Sequence, residues 1–198
     1  TIAILASGTG GHIYPALSIA DKYISQGYKI LWIGTPNGLE DKIVLEPNII
    51  MKKINSQGIR GKSLTKKIVS LISFSQSIIQ SFLIFKKYKP NMVFGFGGFV
   101  SVAPSFAGYI MSIPVIIHEQ NAIVGTANKI NYYFAKRIYE TFPLSFNKNN
   151  KNIIYTGNPV RESFTKLTNP ENKYKNNKSS INIMVMGGSQ GSMFLNKT

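Results

Sequence analysis

The 198 residues carry a formal net charge of +15, a hydrophobic fraction of 43% and no cysteine. That apolar content supports a packed core and excludes a disordered tail, while the lack of cysteine excludes disulfides and thiolate metal sites and permits a reducing compartment. Only three of the 23 basic residues, Arg60, Arg137 and Arg161, are arginine, the side chain suited to bidentate contacts with phosphates and base edges. The scattered lysines therefore read as a compositional bias and not as a nucleic-acid interface, although diffuse positive charge also suits an anionic lipid surface.

In chain order, apolar runs of strand length alternate with helix-period segments, the pattern of βα units and a parallel sheet. Thr1–Ala6 reads as a first core strand, not a secretory leader, and the absence of an initiator methionine points to a fragment. A turn over Ser7–Tyr14 feeds a helix from about Pro15, with Gly27 at its stop. Strands follow at Lys29–Ile33 and Ile50–Ile54, with a short helix over Asn37–Glu46 between them. A polar loop, Ser56–Lys62, precedes the longest helix candidate, Ser63–Lys87. Further strands are expected at Met92–Phe96, Val115–Ile117, Arg137–Glu140 and Asn152–Thr156, with helices near Val102–Met111 and Gly125–Phe134. A Lys/Asn-rich stretch over 166–180 reads as a linker, after which Ile181–Met186 begins another strand.

Three glycine-rich turns each follow an apolar run: Ser7-Gly8-Thr9-Gly10-Gly11-His12, Gly95-Phe96-Gly97-Gly98-Phe99 and Gly187-Gly188-Ser189-Gln190-Gly191. Turns of this kind present backbone N–H groups at helix starts, where they attract phosphate oxygens. Sheets of this class bind ligands beyond the carboxyl ends of their strands, and both histidines of the chain, His12 and His118, fall at such ends. Several phosphate binders and hydrolases are excluded. No Gly-x-x-x-x-Gly-Lys-Ser/Thr occurs, Ile13 takes the place of the third glycine of a dinucleotide fingerprint, and there is no Gly-x-Ser-x-Gly. Two distant histidines without cysteine do not make a zinc site, no Asp-x-Asp pair occurs, and no cofactor is expected.

Gly8-Thr9-Gly10-Gly11-His12, Gly97-Gly98-Phe99-Val100-Ser101, His118-Glu119-Gln120-Asn121, Gly157-Asn158-Pro159-Val160-Arg161 and Gly187-Gly188-Ser189-Gln190-Gly191 stand in the order and approximate spacing of one family. On these motifs, and the loop Gly58–Lys62, the chain resembles the MurG family of N-acetylglucosaminyltransferases, over its whole length. The resemblance implies an α/β fold of the GT-B type, a doubly wound, Rossmann-like parallel sheet with a second domain. It implies transfer of N-acetylglucosamine from UDP-N-acetylglucosamine to the muramyl C4 hydroxyl of lipid I, giving lipid II, with inversion. Ser7 stands where the family commonly has glycine, and Phe99 where it commonly has tyrosine.

The site residues follow from that resemblance. His12 is the expected general base, the alternative being a histidine that caps its own loop. Thr9, Gly10, Gly11 and Asn121 match donor-contacting positions, and Arg161 and Ser189 match positions near the nucleotide phosphates; the alternative for Arg161 is a surface pair with Glu162. Gly97, Gly98 and Ser101 are expected to face the acceptor diphosphate, with His118 and Glu119 either touching substrate or holding their loop together. The uncharged segment Ile68–Phe85 carries too many serines for a transmembrane span. Packing on the sheet explains most of it, while Phe74, Ile78 and Phe82 are candidates to face an anionic membrane at the cytoplasmic side of the inner membrane. The expected organisation is an acceptor-side domain over 1–165, a linker over 166–180 and the start of a truncated donor-binding domain over 181–198, too short to build a core and without transferase activity alone. Two rivals are a non-catalytic lipid-diphosphate or membrane-binding module, and another UDP-sugar enzyme of the same fold.

Overall fold

The computed structural model describes residues 1–56, 64–147, 152–167, 169, 183 and 184. Over them the chain runs β1 (Ile2–Leu5), α1 (Gly10–Ser25), β2 (Ile30–Gly34), α2 (Glu40–Ile43), β3 (Ile49–Lys53), α3 (Leu64–Tyr88), β4 (Met92–Gly95), a 3₁₀ turn (Phe99–Ser101), α4 (Val102–Ile110), β5 (Val115–Glu119), α5 (Thr126–Asn131), β6 (Arg137–Glu140), β7 (Ile153–Tyr155) and α6 (Glu162–Thr165). The seven strands form one sheet in the order β3-β2-β1-β4-β5-β6-β7, and every neighbouring pair is parallel. This is the expected doubly wound sheet. Its direction of winding reverses between β1 and β4, where loops diverge and leave a crevice.

Strands buried on both faces need no polar alternation, which is why β1 and β2 read as unbroken apolar runs. Side chains of alternate parity feed two cores. Ala3, Leu5, Leu31 and Ile33 pack with Phe85 of α3 and Ala107 of α4 on one face. Ile2, Ile4, Ala6 and Trp32 pack with Ile13, Ala16 and Ala20 of α1 on the other. Trp32 does more than fill space: its indole N–H donates to the Ala6 carbonyl at 3.0 Å, satisfying the first backbone acceptor beyond the end of β1.

Several expected boundaries move for identifiable reasons. Helix α1 begins at Gly10 and not near Pro15, because the first glycine turn is itself the first helical turn: the N–H groups of His12 and Ile13 both reach the Thr9 carbonyl, at 3.0 and 3.2 Å. Pro15 thus lies inside the helix, where it deprives the Gly11 carbonyl of its partner. The stop at Gly27 is as read, with φ +85; its N–H reaches Ile24 O at 2.9 Å and that of Tyr28 reaches Tyr23 O at 3.0 Å, a Schellman closure. Helices α2 and α5 are shorter than expected and α6 was not expected. Strand β5 extends to Glu119, so His118 and Glu119 belong to the sheet, in register with Tyr139 and Glu140 of β6.

The serine face of α3 turns inward. Ser77 and Ser81 are buried. Ser73 Oγ donates to the Asn55 carbonyl at 2.8 Å, Ser77 Oγ donates to the same oxygen, and Asn55 N–H donates to Gln80 Oε1 at 3.1 Å. Small hydroxyls let the helix lie close to the exit of β3 and satisfy its backbone. The outward apolar positions are consequently Ile72, Ile79 and Leu83, at 55, 60 and 63% exposure. The expected lipid-facing residues Phe74, Ile78 and Phe82 are all half-buried, and Phe82 packs on the core. No helix among the described residues is long and apolar enough to cross a membrane.

Thr1–Val160 forms one compact unit and Arg161–Thr198 a second. Ile183 and Met184, inside the expected strand over 181–186, carry no regular structure and are 84 and 81% exposed. The loop over 57–62 lies outside the described residues, as does the third glycine turn with Ser189.

Candidate active site

The first two glycine turns leave adjacent strands, β1 and β4, and they touch. A Cβ built on Gly98 would lie 3.0 Å from the Ser7 carbonyl oxygen, and one on Gly97 would lie 2.9 Å from His12 Cδ2 and 3.0 Å from its Nε2. Both glycines have positive φ, +91 at Gly97 and +73 at Gly98, so the backbone conformation and the close approach each require glycine here. The His12 ring therefore rests against the second turn. A cavity of about 240 Å³ opens beside it, lined by His12, Gly97, Gly98, Phe99, Glu119 and the segment Gly125–Asn128. That volume is below the roughly 300–1,000 Å³ of a complete small-molecule site, so it suits one group of a larger ligand.

His12 Nδ1 is 3.0 Å from Thr9 Oγ1 within its own loop. This loop-capping bond uses one ring nitrogen and leaves Nε2, on the side of the second turn, outside it. Burial pushes the His12 pKa below its ordinary value, and the Glu119 carboxylate opposes that shift. The ring is accordingly neutral near pH 7.

Glu119 is 1% exposed, and protein N–H groups surround its carboxylate. Oε1 accepts from the backbone N–H and the Nδ2 of Asn121 at 2.9 and 2.8 Å, and Oε2 accepts from Gly125 N and Asn128 Nδ2, both at 3.0 Å. A carboxylate held by so many donors organises its loop and is anchored at the cavity wall. Asn121, an expected sugar contact, is exposed; one Nδ2 hydrogen goes to Glu119, and the amide keeps a second hydrogen and Oδ1.

His118 is 2% exposed and stacks 5.8 Å from the Phe96 ring. Its Nε2 lies 3.1 Å from the Gly157 carbonyl; a carbonyl only accepts, so Nε2 carries the hydrogen. Burial lowers its pKa, with the Gly157 bond and Glu119 opposing. His118 thereby ties the end of β5 to the Gly157–Val160 segment and does not line the cavity. Ser101 is fully buried and braces the second turn by donating to Gly98 O at 2.8 Å.

Thr9, Gly10, Gly11, His12, Gly97, Gly98, Ser101, His118, Glu119 and Asn121 therefore gather at the carboxyl edge of β1, β4 and β5. Arg161 falls in the second unit, with its guanidinium 5.2 Å from the Phe164 ring centroid, while Glu162 pairs with Lys166 at 2.8 Å. Sequence reasoning missed Gly125, Thr126 and Asn128, which line the cavity, and Asn131, which supports it from behind. Among the described residues no group of three or more His, Asp or Glu could hold a metal ion.

The sequence profile of the glycosyltransferase family 28 N-terminal domain matches residues 2–140. The chain belongs to that family. It is 40% identical over its full length to a UDP-N-acetylglucosamine--N-acetylmuramyl-(pentapeptide) pyrophosphoryl-undecaprenol N-acetylglucosamine transferase of Blochmanniella floridana, covering 54% of that protein. It is 36% identical to the protein of the same name from Haemophilus ducreyi, covering all of this chain and 56% of the relative. The chain thus spans about half the length of the curated relatives it matches. Among solved structures, Acinetobacter baumannii MurG superposes with a TM-score of 0.68 at 32% identity, over 83% of this chain and 47% of that one. A UDP-GlcNAc 2-epimerase from Neisseria meningitidis superposes over 79% of this chain and 46% of its own, at a TM-score of 0.56. At 16% identity, that likeness speaks for the shared GT-B fold alone.

Proposed function

We propose that this chain is the acceptor-side half of an inverting N-acetylglucosaminyltransferase that moves N-acetylglucosamine from UDP-N-acetylglucosamine to the muramyl C4 hydroxyl of lipid I, giving lipid II. The observation that carries the reading is the contact of His12 with Gly97, which puts one basic nitrogen between two phosphate-seeking turns at the sheet's switch point. The relatives' names supply the substrates, and the cavity supplies the chemistry.

With Nδ1–H donating to Thr9 Oγ1, His12 Nε2 carries the lone pair and takes the proton of the C4 hydroxyl as its oxygen attacks the anomeric carbon. The bond from that carbon to the diphosphate breaks, and UDP departs with the electron pair. Fixed at the cavity wall, the Glu119 charge favours the imidazolium that forms. Gly97, Gly98 and Ser101 shape the second turn for the acceptor diphosphate. Thr9, Gly10, Gly11 and Asn121 face the donor, and Arg161 and Ser189 serve its phosphates. Exposed Ile72, Ile79 and Leu83, with Lys86 and Lys87 at the end of α3, would rest on the anionic cytoplasmic face of the inner membrane, where a polyprenyl-linked acceptor resides. The charge serves that surface and no nucleic acid.

The reading is tested by joining this chain to the remaining part of the Haemophilus ducreyi relative. The chimera is expected to make lipid II from UDP-N-acetylglucosamine and a lipid I analogue, while the 198-residue chain alone is expected to be inactive. A well-folded chimera that hydrolyses or epimerises the donor and never uses the acceptor would overturn the assignment.

A further inference from the structure

Helix α5 ends on a side chain that packing alone does not explain. Asn131 is fully buried, its Nδ2 donates to Ser101 Oγ at 2.8 Å, and its Oδ1 has no hydrogen-bond partner. An apolar residue would leave no orphaned oxygen, so the amide N–H is the group that accounts for an asparagine here.

Ser101 passes the constraint on. Its Oγ donates to Gly98 O at 2.8 Å, and its N–H reaches the same oxygen at 3.1 Å. A hydroxyl has one proton to give; with that proton on Gly98, Ser101 can only accept from Asn131. The chain of bonds therefore has one direction, from the Asn131 amide through the Ser101 hydroxyl to the Gly98 carbonyl. Gly98, at φ 73 and ψ 154, has no side chain to hold its own orientation, so the next peptide is fixed from outside.

The carbonyl and N–H of a trans peptide point in opposite directions. Holding Gly98 O from the buried side turns the Phe99 N–H the other way, where Gly98 and Phe99 line the cavity. Phe99 opens the 3₁₀ turn, and its N–H has no acceptor within that turn.

We propose that Asn131 and Ser101 are positioning residues that lock the Gly98–Phe99 peptide with its N–H directed into the cleft, as a donor to a diphosphate oxygen. This rests on the reading of the second turn as an acceptor-diphosphate loop. Neither residue touches the ligand; each acts through the peptide it orients.

The test is an NMR titration of the 198-residue chain with inorganic pyrophosphate, following the Phe99 amide. In the wild type that amide is expected to shift as pyrophosphate binds. Ser101→Ala and Asn131→Leu are each expected to weaken binding about fivefold, the factor for one ordinary hydrogen bond. Asn131→Leu, which also removes the orphaned oxygen, is expected to keep the wild-type melting temperature. A purely structural role would give the reverse, a lowered melting temperature with unchanged pyrophosphate affinity of the folded protein, and would overturn the proposal. So would pyrophosphate binding in the cleft without a response from Phe99, which leaves the acceptor reading standing. Failure of the wild type to bind pyrophosphate in the cleft at all would remove both.

Discussion

Replacing His12 by alanine in the chimera is expected to lower kcat by roughly 10²–10⁴-fold, the usual contribution of a positioned general base. The substitution removes a ring that packs on Gly97 and bonds Thr9, but it leaves both glycine turns and the Glu119 network intact. KM for the lipid I analogue should therefore change little. The pH profile gives a second signature. The base works only when neutral, and burial holds its pKa below the ordinary 6.5. Wild-type kcat/KM should stay level as pH falls through 6.5 and decline only below the lowered pKa, whereas the residual rate of His12→Ala should lack that limb. A loss confined to KM, with kcat preserved, would assign His12 to binding and not to proton transfer.

Gly97→Ala carries the second large effect. Its φ of +91 strains any L-residue, and its Cβ would lie within 3.0 Å of the imidazole. The strain costs about 1–2 kcal/mol of stability. The ring must also move, and a displacement on the order of 1 Å at a reacting group costs about 100-fold in rate. Gly8→Ala is the control, since φ there is +93 and a Cβ meets nothing within 4 Å. Urea denaturation should show similar stability losses in the two variants, while the chimera's kcat should fall far more for Gly97→Ala. Equal rates would mean that the contact of His12 with the second turn has no part in the chemistry.

The strands were legible because parallel strands buried on both faces need continuous apolar runs, and Ile2–Leu5 and Ile30–Ile33 are such runs. The first two glycine turns were legible from composition and from their place after apolar runs. What escaped depends on partners distant in sequence. Nothing local marks Asn131, because its hydrogen bond spans 30 residues to Ser101. The same holds for Asn128, whose amide bonds His118 O and Glu119 Oε2 from a different element. His118 and Glu119 read as loop residues since polar side chains suit a strand poorly; the partners that admit them, Gly157 O and the N–H groups around Glu119, become visible only in the fold. On α3, serine spacing identified a face but not its direction. The hydroxyls turn inward because Asn55 needs donors, and the apolar residues beside them are half-buried as a result.

The most direct measurement is a crystal structure of the chimera with a soluble lipid I analogue. The diphosphate should lie on the turn of Gly97–Gly98, with the muramyl C4 hydroxyl about 2.6–3.2 Å from His12 Nε2. An analogue seated away from the β1–β4 crevice, or a C4 hydroxyl beyond reach of that nitrogen in a competent complex, would contradict the account.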